Sequence, residues 1–152
     1  MFRFFMFKLI CYIISIFFAG APVMTSNLIT QLYNCNQIYL INNGVEVKLE
    51  NSVISSELET LFADAYFTPA FGVALHHETV NQLKSGLWLE FRFNKQHVFN
   101  QMPYKKLLIK FEPDLYGFNI IRFNNGKYDG RCYYLNLKNN TTNFYNFLTT
   151  IK

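Results

Sequence analysis

The sequence predicts a small α+β domain: an antiparallel sheet of about four to six strands with two or three short helices on one face, preceded by a hydrophobic N-terminal helix. Three observations lead there. Four stretches between Leu87 and Leu137 alternate apolar and polar residues with a period of two, as half-buried strands do. The connections between them are rich in turn residues and too short for a parallel crossover, which needs a dozen residues or more. Apolar residues at helical spacing lie on either side of that region.

Residues 1–21 read as a signal peptide or membrane anchor. Arg3 and Lys8 stand among apolar residues, and Leu9 to Ala21 then runs without a charge, which is the layout of an export signal. Ala19-Gly20-Ala21 supplies small residues where a signal peptidase cuts, although Pro22 would then open the mature chain. Uncleaved, the run falls short of the ~20 apolar residues that span a bilayer unless Lys8 snorkels. A third possibility is translation from Met24, which would remove the leader and make the protein cytoplasmic.

Residues 25–152 read as the single domain, in which Gln37 to Ile41 and Val45 to Glu50 flank Asn42-Asn43-Gly44. Val45, Val47 and Leu49 alternate with Glu46, Lys48 and Glu50, so one face of the second run is apolar, and Asn-Gly at the turn predicts a hairpin. Ser56, three residues before Glu59, predicts a capping box opening a short helix through Leu58, Leu61, Phe62 and Ala65, stopped by Pro69 and Gly72. A second short helix is expected from Leu75 or His76 to Lys84, with Ser85-Gly86 ending it. Leu87 to Phe93, Lys106 to Phe111, Phe118 to Phe123 and Arg131 to Leu137 follow as strands. The spacing of Phe144, Phe147, Leu148 and Ile151 predicts a closing helix capped by Thr141 or Thr142.

About 130 residues beyond the leader suffice for one core. With 51% hydrophobic and 18% aromatic residues, the chain has ample surface to bury, and its 17 Asn residues point to nucleotide bias rather than a site. Arg3 and Lys8 account for 2 of the 14 basic residues, so the domain carries 12 against 10 acidic ones, too near neutrality for nucleic acid. The expected partner is another protein or a small ligand, with the membrane reached through an uncleaved N-terminal segment.

No nucleotide-binding loop, nucleophile elbow or paired Cys-x-x-Cys occurs, and no cofactor is expected. His76, His77 and Glu78 form a cluster of metal-capable residues, but neighbours on a helix point about 100° apart, so no metal site is expected there. With His97 in a following loop, His77 and Glu78 are the candidates for a hydrolase-like enzyme. Glu90, between Trp88 and Arg92, is a weaker candidate for acid/base work. For binding, the candidates are Tyr66 and Phe71 in the stretch Tyr66 to Gly72, and Trp88 with Tyr133 as an exposed aromatic platform. Lys105, Lys106, Lys110, Arg122, Lys127 and Arg131 would form its basic rim. Cys35 and Cys132 are left as a possible disulfide once Cys11 departs with the leader. The function expected from these features is a non-catalytic binding or interaction module, exported or membrane-tethered. A small enzyme is the alternative, and a cytoplasmic accessory protein if translation begins at Met24.

Overall fold

The computed structural model describes residues 22–68 and 85–151, with the side chains of residues 22–27 and 129–131 excepted. The hydrophobic helix expected at the N-terminus and the short helix expected near His76 lie outside the described residues. In chain order the elements are α1 (Pro22–Tyr33), β1 (Gln37–Asn42), β2 (Val45–Leu49), α2 (Asn51–Phe62), β3 (Tyr66–Thr68), β4 (Leu87–Phe99), β5 (Met102–Phe111), β6 (Gly117–Asn124), β7 (Lys127–Asn136) and α3 (Thr142–Thr150). Among the described residues no helix is long and apolar enough to cross a membrane.

The strands form one seven-stranded sheet in the order β2-β1-β4-β5-β6-β7-β3, with every neighbouring pair antiparallel. This corrects the expected fold class: the sheet exceeds four to six strands and dominates the molecule, with the three described helices as short accessories. The difference has two local causes. Tyr66 to Thr68, part of the stretch that supplies binding candidates and not read as a strand, pairs with β7 through Tyr66↔Asn136 and Thr68↔Tyr134. In addition, β4 runs to Phe99 rather than Phe93, because a register shift between Arg92 and His97 breaks the period-two signal without ending the pairing.

Two-residue turns set the strand registers. Asn43-Gly44 and Asn125-Gly126 have positive φ at both residues (48° and 85°, 51° and 79°), the twist that matches a right-handed hairpin. Asn100-Gln101 joins β4 to β5 with the same geometry at 48° and 62°, without a glycine. The first turn is also locked to the start of β4: Asn43 N–H donates to the Gly86 carbonyl at 2.9 Å, and Gly86 N–H donates to Asn43 Oδ1 at 2.9 Å.

Alternation sorts the core. Leu87, Leu89, Phe91, Phe93, Leu107, Ile109, Phe111, Ile120 and Leu135 point to one face, where Leu28 and Leu32 of α1, Ile54, Leu58, Leu61 and Phe62 of α2, and Phe144 and Leu148 of α3 close over them. Ring contacts such as Phe111 edge-to-face with Phe118 (5.3 Å between centroids) and tilted against Phe144 (5.0 Å) join strand to strand and strand to helix. The opposite face carries a smaller cluster of Ile41, Trp88, Leu108 and Ile121, packed against by Tyr128.

Two helix starts differ from expectation. α2 opens at Asn51, five residues before the expected capping box, and Ser56 lies inside it, its carbonyl accepting from Thr60 Oγ1. The buried stripe Ile54, Leu58, Leu61, Phe62 has helical spacing from its first member, and that packing sets the boundary. At α3 neither Thr141 nor Thr142 caps the helix with its hydroxyl. Thr141 Oγ1 donates to the Glu112 carbonyl and accepts from Leu115 N–H, while Thr142 Oγ1 accepts from Asp114 N–H and donates to Asp114 Oδ1. Both hydroxyls therefore clamp the β5–β6 loop, and Asn140 Oδ1 takes the Thr142 N–H instead.

Candidate functional site

The face of the sheet away from the helices is where its charge collects. In β4, alternation that sends Leu89 and Phe91 to the core sends Trp88, Glu90 and Arg92 to this face, and β5 adds Lys106 and Lys110. Glu90 is a carboxylate only 3% exposed, and it is met by three donors. Arg92 Nε and Lys106 Nζ (3.2 Å) reach Oε1, while the Tyr128 hydroxyl donates to Oε2 at 2.6 Å. Burial pushes the Glu90 carboxyl up, but the hydrogen bonds from Tyr128 and Arg92 and the charges of Lys106 and Arg92 outweigh it and hold it below the ordinary range. The Tyr128 hydroxyl is driven the other way, by burial first and then by its bond to the carboxylate. The group is therefore a saturated anion, which is unsuited to accept a proton as a general base near neutral pH.

From this anchor the charge extends to the edge of the sheet. Arg92 lies over the Tyr39 ring with 3.6 Å to its centroid, and its NH2 group binds Glu46 Oε2 at 2.9 Å. Glu46 is on β2, which ends the strand order and pairs only with β1 among the described residues. Along β2, Val45 is 64% exposed, Glu46 and Lys48 are exposed, Val47 is half-buried and Leu49 is buried. Such a row of unpaired main-chain groups beside exposed apolar side chains is a template for another strand. At the other edge, β3 has three residues among those described, Tyr66 to Thr68. The chain matches no family model, no curated protein and no solved structure. Its own residues therefore carry any functional conclusion.

The residues singled out in the sequence are dispersed. His77, Glu78 and Phe71 lie outside the described residues. His97 is in β4, not a loop, and packs between Phe93 (4.8 Å between ring centroids) and Tyr104 (6.0 Å). Burial and then Lys95 lower its pKa, so the ring is neutral near pH 7. Tyr66 is 56% exposed on the edge strand β3. Trp88 and Tyr133 do not form an exposed platform: each is 2% exposed, and they belong to opposite faces of the sheet. Trp88 Nε1 donates to the Ser85 carbonyl at 3.0 Å, and the Tyr133 hydroxyl to the Phe99 carbonyl at 2.9 Å.

With no platform there is no rim. Lys106 and Lys110 share the face of Trp88, Arg122 is buried and donates to the Pro103 carbonyl at 2.9 Å, Lys105 and Lys127 are exposed, and the Arg131 side chain is outside the described set. Cys35 and Cys132, a possible disulfide in the sequence, are both free and buried in the structure. Cys35 packs in the helix-side core, whereas Cys132, opposite Ile121, donates to Asn119 Oδ1 at 3.4 Å. The sheet separates the two thiols, and burial pushes that of Cys35 up to about 11. Among the described residues no group of three His, Cys, Asp or Glu side chains converges as metal ligands would.

Sequence reasoning missed the edge. Opposite charges at Glu46 and Lys48, two apart within an alternating run, were visible, but nothing local says that a strand will end a sheet.

Proposed function

We propose that this chain is a non-catalytic interaction module, exported or held at a membrane by residues 1–21, that engages a protein partner along the outer edge of β2. The observation that carries this is the exposure of β2: a five-residue strand with one side unpaired among the described residues, whose Val45 is left 64% in water. Strand addition to such an edge gains affinity from main-chain hydrogen bonds and selectivity from the alternating side chains. The hairpin turn locked to Gly86 and the Arg92 contact to Glu46 hold this edge in place before a partner arrives, which lowers the ordering cost of binding. Export or tethering is supported by Arg3, Lys8 and the uncharged run Leu9 to Ala21.

The test is site-specific photo-crosslinking in the native host with the full chain, placing the reactive group at Val45 or, as a control, at Val53, which is 51% exposed on α2. Discrete adducts from position 45 and none from position 53 are expected. Equal labelling at both sites, or no adduct from position 45, would sink the proposed edge.

A further inference from the structure

We propose that the partner at this edge is a second copy of the same chain, joined β2 to β2 about a two-fold axis through Val47. This rests on the edge being the interaction surface, and adds which chemistry it accepts. The register of the β1–β2 hairpin fixes the phase. Asn42↔Val45 closes the two-residue turn, and the pair that closes such a turn exchanges both main-chain hydrogen bonds. Main-chain groups of Val45, Val47 and Leu49 therefore face β1, and those of Glu46 and Lys48 face outward.

An antiparallel copy can bond only where outward groups meet outward groups, so a two-fold axis must pass through residue 46, 47 or 48. An axis at Glu46 sets that carboxylate against itself, and one at Lys48 sets ammonium against ammonium; like charges directly opposite are destabilising. At Val47 the axis places each Glu46 opposite Lys48 of the second copy. Both pairs then exchange main-chain hydrogen bonds and join opposite charges. On the helix side of the sheet the same register sets Val47 against Val47 and the exposed Val45 against Leu49 of the second copy, covering apolar surface now in water.

The side chains are prepared for this pairing. Arg92, itself fixed by Glu90 and by the Tyr39 ring, holds Glu46 through Oε2, and Lys48 has no ion-pair partner among the described residues. The chain's own sequence is thus complementary to itself when reversed: Val45-Glu46-Val47-Lys48-Leu49 read backwards places acid on base and apolar on apolar. The contact is short, so the dimer is weak.

Cysteine crosslinking of the full chain reads the register directly. In a Cys11→Ser background, with Cys35 and Cys132 buried, Val47→Cys should give a disulfide-linked dimer under mild oxidation, because facing residues of a pair without mutual hydrogen bonds lie about 4.5 Å apart. Val45→Cys and Leu49→Cys should each crosslink poorly alone and well when mixed. Without the cysteine changes, Lys48→Glu and Glu46→Lys should each lose the dimer in sedimentation velocity, while an equimolar mixture of the two should regain it. Failure of the mixture to recover, or crosslinking at Val53→Cys as strong as at Val47→Cys, would overturn self-pairing. A discrete photo-adduct from position 45 whose mass exceeds a second copy's, with no self-adduct, would overturn self-pairing while leaving the interaction edge intact. The absence of any adduct would remove both.

Discussion

Phe91 shows how much one ring on the helix side contributes. It is fully buried between β1 and β5, opposite Ile38 and Leu107. Its replacement by Ala leaves a cavity in a cluster that three helices cover, and the expected cost is roughly 3–5 kcal/mol, measured by chemical denaturation. A cost under about 1 kcal/mol would mean that the core closes around the gap. On the other face the informative residue is Glu90. Because its carboxyl titrates lower in the folded chain than unfolded, its contribution to stability is complete above the ordinary value of about 4.3. That contribution is lost as pH falls from there through the folded value. Glu90→Gln should therefore weaken the protein at pH 7, where Arg92 and Lys106 lose their anion, and flatten the fall in stability below about pH 4.3. Unfolding curves collected across that acid range check both signs; an unchanged slope would mean that other carboxylates dominate.

Among the elements, α3 is the sharpest test of packing. Phe144 and Leu148 are buried in it, Phe147 and Ile151 pack at its margin, and its entry residues Thr141 and Thr142 hold the β5–β6 loop. Deleting the residues after Thr142 removes that apolar cover while keeping the loop contacts, so a large loss of melting temperature or of solubility is expected. A truncated chain that melts like the parent would make α3 dispensable. The same elements show what local sequence can specify. Asn43-Gly44 was readable as a hairpin because Gly relieves the positive φ there, whereas Asn100-Gln101 adopts the same turn with no glycine to mark it. Alternation put Trp88, Glu90 and Arg92 on one face, but not the burial of Trp88 and Glu90. That burial depends on partners such as Tyr128, which is 38 positions from Glu90. Ser56 and Glu59 carried the local pattern of a helix start, and the packing of Ile54 overrode it.

At the scale of the whole molecule, the order of the strands has kinetic and cellular consequences. β4 to β7 pair in chain order, but β1 inserts beside β4 across a separation of some fifty residues (Ile38↔Phe91), so its docking closes a long loop. Residues 1–21 are proposed to direct the whole chain across or onto a membrane. A reporter enzyme active only outside the cytoplasm, fused after Lys152, should be active in the native host, and silent when translation is made to start at Met24. Activity in both versions, or in neither, would leave residues 1–21 without an export role.

Trp88 gives the molecule an optical consequence of having two faces. It is the one tryptophan of the chain, enclosed with Ile41, Leu108 and Ile121 on the side away from the helices. Its fluorescence should be blue-shifted when folded and should redden when that side admits water. Across the sheet α1, α2 and α3 cover the helix-side residues, so the helical far-ultraviolet dichroism reports on the other compartment. One sample thus carries two separate signals, one from either side of a single layer of strands. Following both through the same melt shows whether the two sides come apart together or the thin apolar cluster around Trp88 loosens first.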